Sequence, residues 1–486
     1  MLRFSAGFSL LLVLVCAPML WATDGMNLEG YGPISTSLGG ASMGYYNGLA
    51  AVMNNPATLI LIRDGKSQFE FSFQKLGPTV HTSMAGEGGS WGCESTSDAF
   101  YMPAIGWAKR VGNFSYGVGL FAQGGMGCAY PADSWLGMDY GLTQRSEVSV
   151  GRLIVPLAYQ VNPRFALAGS VDFVWAGLDL QMGLSEGQFM DMTMPNAQQM
   201  GRVSGSMMQA FGALYEPFGG QGVDHLNYAY FDFSNDNDFT GETQGYGFAG
   251  KLGFLYLVND RVTLGGTVHS KTYLSDLDSR RATMTMGVNM DTGLAMGQAP
   301  NGNYMDMAFP LSGQIAIRDF QWPWTYGLGA AWQANPKTMV AFDLKYYQWS
   351  QVMDAFQMGF QVDNSPSNGM FGGLNLDATL FQDWQDQWVY AAGIAYQWHP
   401  SFQLRGGVNL TQNPVPDRYL NALFPAIVED HLTGGFGYEV GPGTINVAMV
   451  YALKTDATNP GDGTTTPAVT SSHKQLNWTV QYNWHF

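Results

Sequence analysis

Along residues 476–486 apolar and polar side chains alternate without a break. Leu476, Trp478, Val480, Tyr482, Trp484 and Phe486 fall on one face of an extended chain. Asn477, Thr479, Gln481, Asn483 and His485 fall on the other, because successive strand side chains point to opposite faces. A soluble strand with one buried face reads this way too. A face this large and aromatic better suits a membrane β-barrel, with apolar side chains toward lipid and polar ones toward the lumen.

The alternation begins at Phe69, Phe71 and Phe73 and returns along the chain at 99–109, 114–122, 147–161, 165–180, 246–258, 262–274, 315–332, 338–349, 388–398, 402–410, 431–440, 445–453 and 475–486. In 165–180, Phe165, Leu167, Val171, Phe173 and Trp175 share one face, opposite Ala166, Ala168, Ser170 and Asp172. Residues 315–332 are taken as one long strand kinked at Pro323. Short turns such as Asn162-Pro163-Arg164 and Gly441-Pro442-Gly443 alternate with the long connections 75–98, 123–146, 181–245, 275–314, 350–387, 411–430 and 454–474. Strict alternation of short turns and long loops, with an even strand count, predicts an all-β membrane fold. The architecture expected is a 14-stranded antiparallel transmembrane β-barrel with seven long extracellular loops.

Composition agrees with this reading. Only 12% of residues are charged, about half the ~25% usual in soluble proteins, yet the mean hydropathy is −0.06. Low charge without high hydropathy is what alternating strands produce, and the one apolar run is N-terminal, at 8–15 after Arg3. With Leu20-Trp21-Ala22 it reads as a signal peptide over 1–22, and Val15 before Cys16 argues against a lipoprotein site. Export places Cys93 and Cys128 in an oxidising compartment, either bridged or as two thiols. A net charge of −16 argues against a nucleic-acid partner.

Residues 23–65 do not alternate. They are rich in Gly, Ala, Ser and Asn around Asn54-Asn55-Pro56-Ala57, too few to fold alone and too apolar for a linker. They are expected to form a small N-terminal plug, or hatch, inside the lumen of a barrel spanning 66–486.

Several blocks then carry a resemblance. They are the G-x-S-L-G-G-A…N-N-P-A-T-L of 32–59, the L-R-G-G-V-N-L-T-Q-N-P-V-P-D of 404–417, the D-L-K-Y-Y-Q-W-S of 343–350, and Asp383-Trp384 before Trp388. In order and spacing the chain resembles the FadL/TodX (OMPP1) family of outer-membrane transport proteins for long-chain fatty acids and other hydrophobic compounds. The resemblance implies a barrel blocked by a hatch, capture of a fatty acid or hydrocarbon by outer loops, and sideways release into the bilayer at a kink in the third strand. Carried over, the hatch element is Asn55, Pro56 and Ala57, and the kink falls at Phe114, Ser115, Tyr116 and Gly117. Ser115 stands where the family often has Gly, and it tolerates unusual backbone less readily. Sideways release also suits the energetics, since each buried CH2 is worth about 0.8 kcal/mol and discharge into water forfeits it.

The third long connection concentrates thioethers and aromatics. Met200, Met207, Met208, Phe211, Leu214 and Tyr215 have spacings that line one side of a helix, either packing the loop down or forming an adaptable ligand groove. A fatty-acid carboxylate would need a cation, with Arg202, Arg280 and Arg281 as candidates or else solvated surface charges; a hydrocarbon needs none. Asp232, Asp236 and Asp238 miss the calcium-loop spacing, and the histidines form no metal motif, so neither metal nor cofactor is expected. With no nucleophile elbow, an enzyme is not expected either. The partners implied are a hydrophobic small molecule and outer-membrane lipid, with the chain acting as a monomer. The rival classes are a general porin, open and charged within, and an adhesin or structural barrel.

Overall fold

A computed structural model of the chain describes residues 24–86, 89–137, 141–193, 200–237, 240–463 and 466–486. The expected signal peptide with Cys16, and Asp238, lie outside the described residues. In chain order the strands are β1 (Ser67–Leu76), β2 (Pro78–Gly86), β3 (Gly89–Glu94), β4 (Phe100–Val111), β5 (Phe114–Tyr130), β6 (Gln144–Asn162), β7 (Phe165–Ser185) and β8 (Gly201–Ser204). They continue with β9 (Val223–Phe233), β10 (Thr243–Asn259), β11 (Val262–His269), β12 (Tyr273–Leu274), β13 (Leu277–Asp291), β14 (Tyr304–Arg318), β15 (Thr325–Asn335) and β16 (Thr338–Tyr347). The last are β17 (Ala355–Val362), β18 (Asn375–Phe381), β19 (Gln387–His399), β20 (Phe402–Thr411), β21 (His431–Val440), β22 (Gly443–Asn459) and β23 (Val469–His485).

Antiparallel pairing carries the wall from β1 through β4, β5 and β6 to β7. From β10 it runs through β11, β15, β16, β19, β20, β21, β22 and β23, and back to β1. At the long-loop end the circuit passes from β7 to β10 by way of β9 and β13. The closed sheet therefore has sixteen strands, which corrects the fourteen expected. Nearer the short turns β7 and β10 pair directly, from Leu178↔Thr243 to Phe165↔Tyr256.

The extra strands come from segments read as loops. In β13, Ala282, Met284 and Met286 are buried while Thr283 and Thr285 between them are less so, a period-two pattern written largely in methionine and threonine. A small sheet, β9-β13-β14-β17-β18-β8, grows from β7 over the long-loop end. The expected single strand 315–332 is also corrected. β14 ends at Arg318 within this outer sheet, and β15 starts again at Thr325 in the wall. Asp319 takes φ 53°, turning the chain inward so that Phe320 and Trp322 are buried.

Side chains facing away from the lumen have no protein to cover them. Leu252 is 70% exposed, Val171 64% and Phe248 59%, as a lipid-facing belt requires. Residues 24–63 lie across the lumen and bond to strands all around it. Leu49 donates its amide to Glu70 in β1 at 2.9 Å, Ser42 to Asp343 in β16 at 2.6 Å, and Gly39 to Thr433 in β21 at 3.0 Å. Their side chains are small enough for this: a Cβ on Gly39 would collide with the backbone of Val408. Cys93 and Cys128 are both free thiols.

Candidate functional site

The wall is unzipped at one seam. β4 and β5 pair only from Ile105↔Leu120 to Val111↔Phe114. Above this, residues 100–104 keep their ladder to β1, and residues 121–130 keep theirs to β6, but the two face each other unpaired. Two local features account for it. Pro103 has no amide to donate, and β5 shifts register between Ala122 and Gly124, a bulge at Gln123 that turns the strand.

The N-terminal segment takes the vacated edge. The Gly125 amide donates to the Met26 carbonyl at 3.1 Å, and Asn27 forms an antiparallel bridge with Gly124. Tyr31 donates its hydroxyl to the Gln123 carbonyl at 2.6 Å, and the Gln123 side chain bonds Asn27 and Arg152. Arg152 in turn pairs with Asp172 at 2.9 Å, and Asp172 accepts from Lys251. The Trp322 indole donates to Asn27 Oδ1 at 2.7 Å. Beside Gly25 stands Trp349, flanked by Trp322 and Trp384 with ring centroids 5.7 and 5.3 Å from its own, all three fully buried.

A cavity of about 540 Å³ fills the angle between residues 25–29 and the seam. Phe121, Met126 and Val150 line it from within, while Tyr101 and Leu120, which are 46% and 40% exposed, belong to the lipid-facing rows. Residues of both faces of the wall thus border the cavity at the seam. Its cation, Arg145, is bound to Glu147 at 3.0 Å and Asp179 at 3.7 Å, leaving no unpaired arginine or lysine on the lining among the described residues. Burial pushes the Glu29 carboxyl up to about 7 and that of Asp24 up to about 6, with Lys345 pulling both back down.

None of the expected site residues lines this cavity. Asn55 caps Ala57 at 3.1 Å and donates to the carbonyls of Met43 and Phe254 at 2.8 and 3.0 Å, with Pro56 and Ala57 buried behind it. Phe114, Ser115, Tyr116 and Gly117 sit in the paired part of the β4–β5 ladder, by the short turn, so the seam is displaced from them toward Gln123. Gly117 is glycine for another reason: a Cβ there would collide with the Trp107 carbonyl. Met207, Phe211 and Tyr215 are 2–3% exposed and pack with Phe189 inside the outer sheet, not along an open groove. Met208 and Leu214 pack against the same core, and so does Met200, which precedes β8 rather than sharing the helix Ser206–Leu214. Arg202 and Arg280 are exposed, and Arg281 pairs with Glu242 at 3.0 Å; none of the three lines the cavity.

Residues 30–486 match the family model described as outer membrane protein transport protein (OMPP1/FadL/TodX). The chain belongs to this family. Among solved structures, the P. putida toluene transporter TodX is 27% identical over 95% of this chain and 99% of that one, with a TM-score of 0.76. The Ralstonia pickettii toluene transporter TbuX is 28% identical over 95% and 99%, with a TM-score of 0.70. A Pseudomonas aeruginosa FadL homologue, 14% identical over 94% and 99% with a TM-score of 0.60, shares the fold. A Chlorobium limicola protein, described as uncharacterized and lying in the phosphoenolpyruvate carboxykinase gene 5' region, is 49% identical over 70 residues. That match covers 14% of this chain, and the chain spans about a third, 34%, of that relative. Family membership and the closed sheet place the protein in a Gram-negative-type outer membrane, among transport channels for hydrophobic compounds.

Proposed function

We propose that the protein takes up small hydrophobic molecules, aromatic ones above all, and releases them sideways into the bilayer through the seam between β4 and β5. The observation that carries this reading is the 540 Å³ cavity bounded by the N-terminal segment on one side and by lipid-facing Tyr101 and Leu120 on the other. Residues 24–63 act as the hatch, closing the lumen to water and polar solutes while leaving the lateral route beside them. An apolar solute travelling this way never loses the roughly 25 cal/mol per Å² that its surface gains out of water. The paired state of Arg145 favours a neutral molecule over a fatty-acid anion, because a buried carboxylate without a free cation is costly. The toluene named for TodX and TbuX supports the same class.

Ala122 lines the cavity at the seam, and Ala122→Trp fills it without touching the hatch contacts of Gly124 and Gly125. Uptake of radiolabelled toluene into proteoliposomes should fall at least tenfold in this variant while heat-modifiable gel migration shows an intact barrel. Unchanged uptake would sink lateral passage.

A further inference from the structure

The outer end of the cavity is not apolar. His473 and His431 both line it, beside Pro425 and Ala426. His473 Nδ1 lies 3.1 Å from the Pro425 carbonyl. A carbonyl oxygen only accepts, so Nδ1 carries the proton, and in the neutral ring Nε2 is left with a bare lone pair. That Nε2 is buried with no hydrogen-bond partner. His431 is 3% exposed, and its Nδ1 is likewise buried with no partner. Two orphaned ring nitrogens in one cavity are unusual, since buried polar atoms are nearly always hydrogen-bonded.

We propose that this end of the cavity selects hydrophobic molecules bearing one hydroxyl, phenols or aromatic alcohols, whose O–H donates to His473 Nε2. The apolar remainder lies along Phe121, Met126 and Val150. A hydroxyl is both donor and acceptor, so the same class also suits His431, whichever tautomer that ring adopts. A pure hydrocarbon fits the walls but leaves both nitrogens unpaired. The inference rests on the cavity being the site of passage, and it narrows the ligand class that the site prefers.

The test compares p-cresol with p-xylene, which differ by hydroxyl against methyl at nearly constant shape. Binding to the full-length protein in detergent is measured by equilibrium dialysis and corrected for each probe's micelle partitioning. The wild type should bind p-cresol about tenfold more tightly than p-xylene, the worth of one well-made buried hydrogen bond. His473→Leu should abolish that preference while p-xylene binding stays or improves. His473→Gln, which returns an acceptor near the Nε2 position, should restore part of it. Heat-modifiable migration checks that each variant is folded, and His431→Phe serves as a second variant if His473→Leu is not. Equal binding of both probes to the wild type, still weakened by Ala122→Trp, would mean that the histidines hold only water; the hydroxyl preference falls and the cavity stands. Binding of both probes that Ala122→Trp leaves unweakened would overturn cavity and preference together.

Discussion

The carbonyl of Met26 accepts the amide of Gly125 at 3.1 Å, joining the N-terminal segment to the strand edge that β4 leaves bare. A lone backbone edge facing lipid carries unsatisfied donors and acceptors, which the membrane interior cannot hydrate. Residues 26 and 27 satisfy part of that edge. The segment that crosses the lumen and the unpaired edge of β5 are therefore hydrogen-bonded to each other.

Gly124 is where this unit is tightest. A Cβ there would collide with the Met26 carbonyl, a backbone atom that cannot swing aside. Gly124→Ala should cost about 1–3 kcal/mol of docking and free the N-terminal residues. Limited proteolysis should cut near residues 24–30 faster than in the wild type, in a barrel that migrates normally. Equal cleavage rates would show that the bridge contributes nothing.

Gly117 and Met102 separate strand packing from passage. Gly117 sits within the paired ladder against Trp107 and Ala108, so Gly117→Trp should impair barrel folding itself, seen as loss of heat-modifiable migration. Met102 lines the cavity, and Met102→Trp should leave migration intact while blocking uptake. The reverse assignment would return the breach to the short-turn end of β5.

Acidification should tighten docking of the N-terminal segment. Burial raises Glu29 from 4.5 to about 7 and Asp24 from 3.8 to about 6 in the docked segment, against the pull of Lys345. A carboxyl with a higher pKa when docked favours docking in its protonated form. That contribution is complete below about pH 4, declines as pH rises through 4 to 7, and is gone above. Proteolysis of residues 24–30 should thus be slower at pH 5 than at pH 8, using a protease calibrated at both. A flat or opposite trend would rule out these two groups as the cause.

Asn55 ties three elements with one side chain, capping Ala57 and donating to Met43 and Phe254. Asn55→Ala removes the cap and leaves two buried carbonyls short of a donor, a loss of about 2–3 kcal/mol. Small-ion conductance in planar bilayers should rise above the wild-type level as the lumen opens.

Where lipid and lumen impose opposite demands on neighbouring residues, the chain is legible. Asn477, Thr479, Gln481 and Asn483 are 1–3% exposed toward the lumen, while Trp478, Val480 and Tyr482 are 37–42% exposed outward. The outer sheet was harder to read because β13 writes its alternation in Met and Thr, without the turn residues that punctuate the wall. The break at Asp319 depends on one positive φ that Pro323 only hints at. The seam is a property of two strands together: β4 and β5 each read as ordinary strands, and only Pro103 and the Gly124-Gly125 pair mark where they part. The Arg152–Asp172–Lys251 cluster was signalled by charges at inward positions, Asp172 among them, but not its tie to Gln123.

The most direct test of lateral passage is photolabelling with an aryl-diazirine hydrocarbon, a toluene analogue, in outer-membrane vesicles, followed by peptide mapping. Labels are expected on residues 100–103 and 120–126, on the two strands flanking the seam, and to vanish in Ala122→Trp. Labels confined to the outer sheet, or to residues 114–117 at the short-turn end, would contradict passage through the seam.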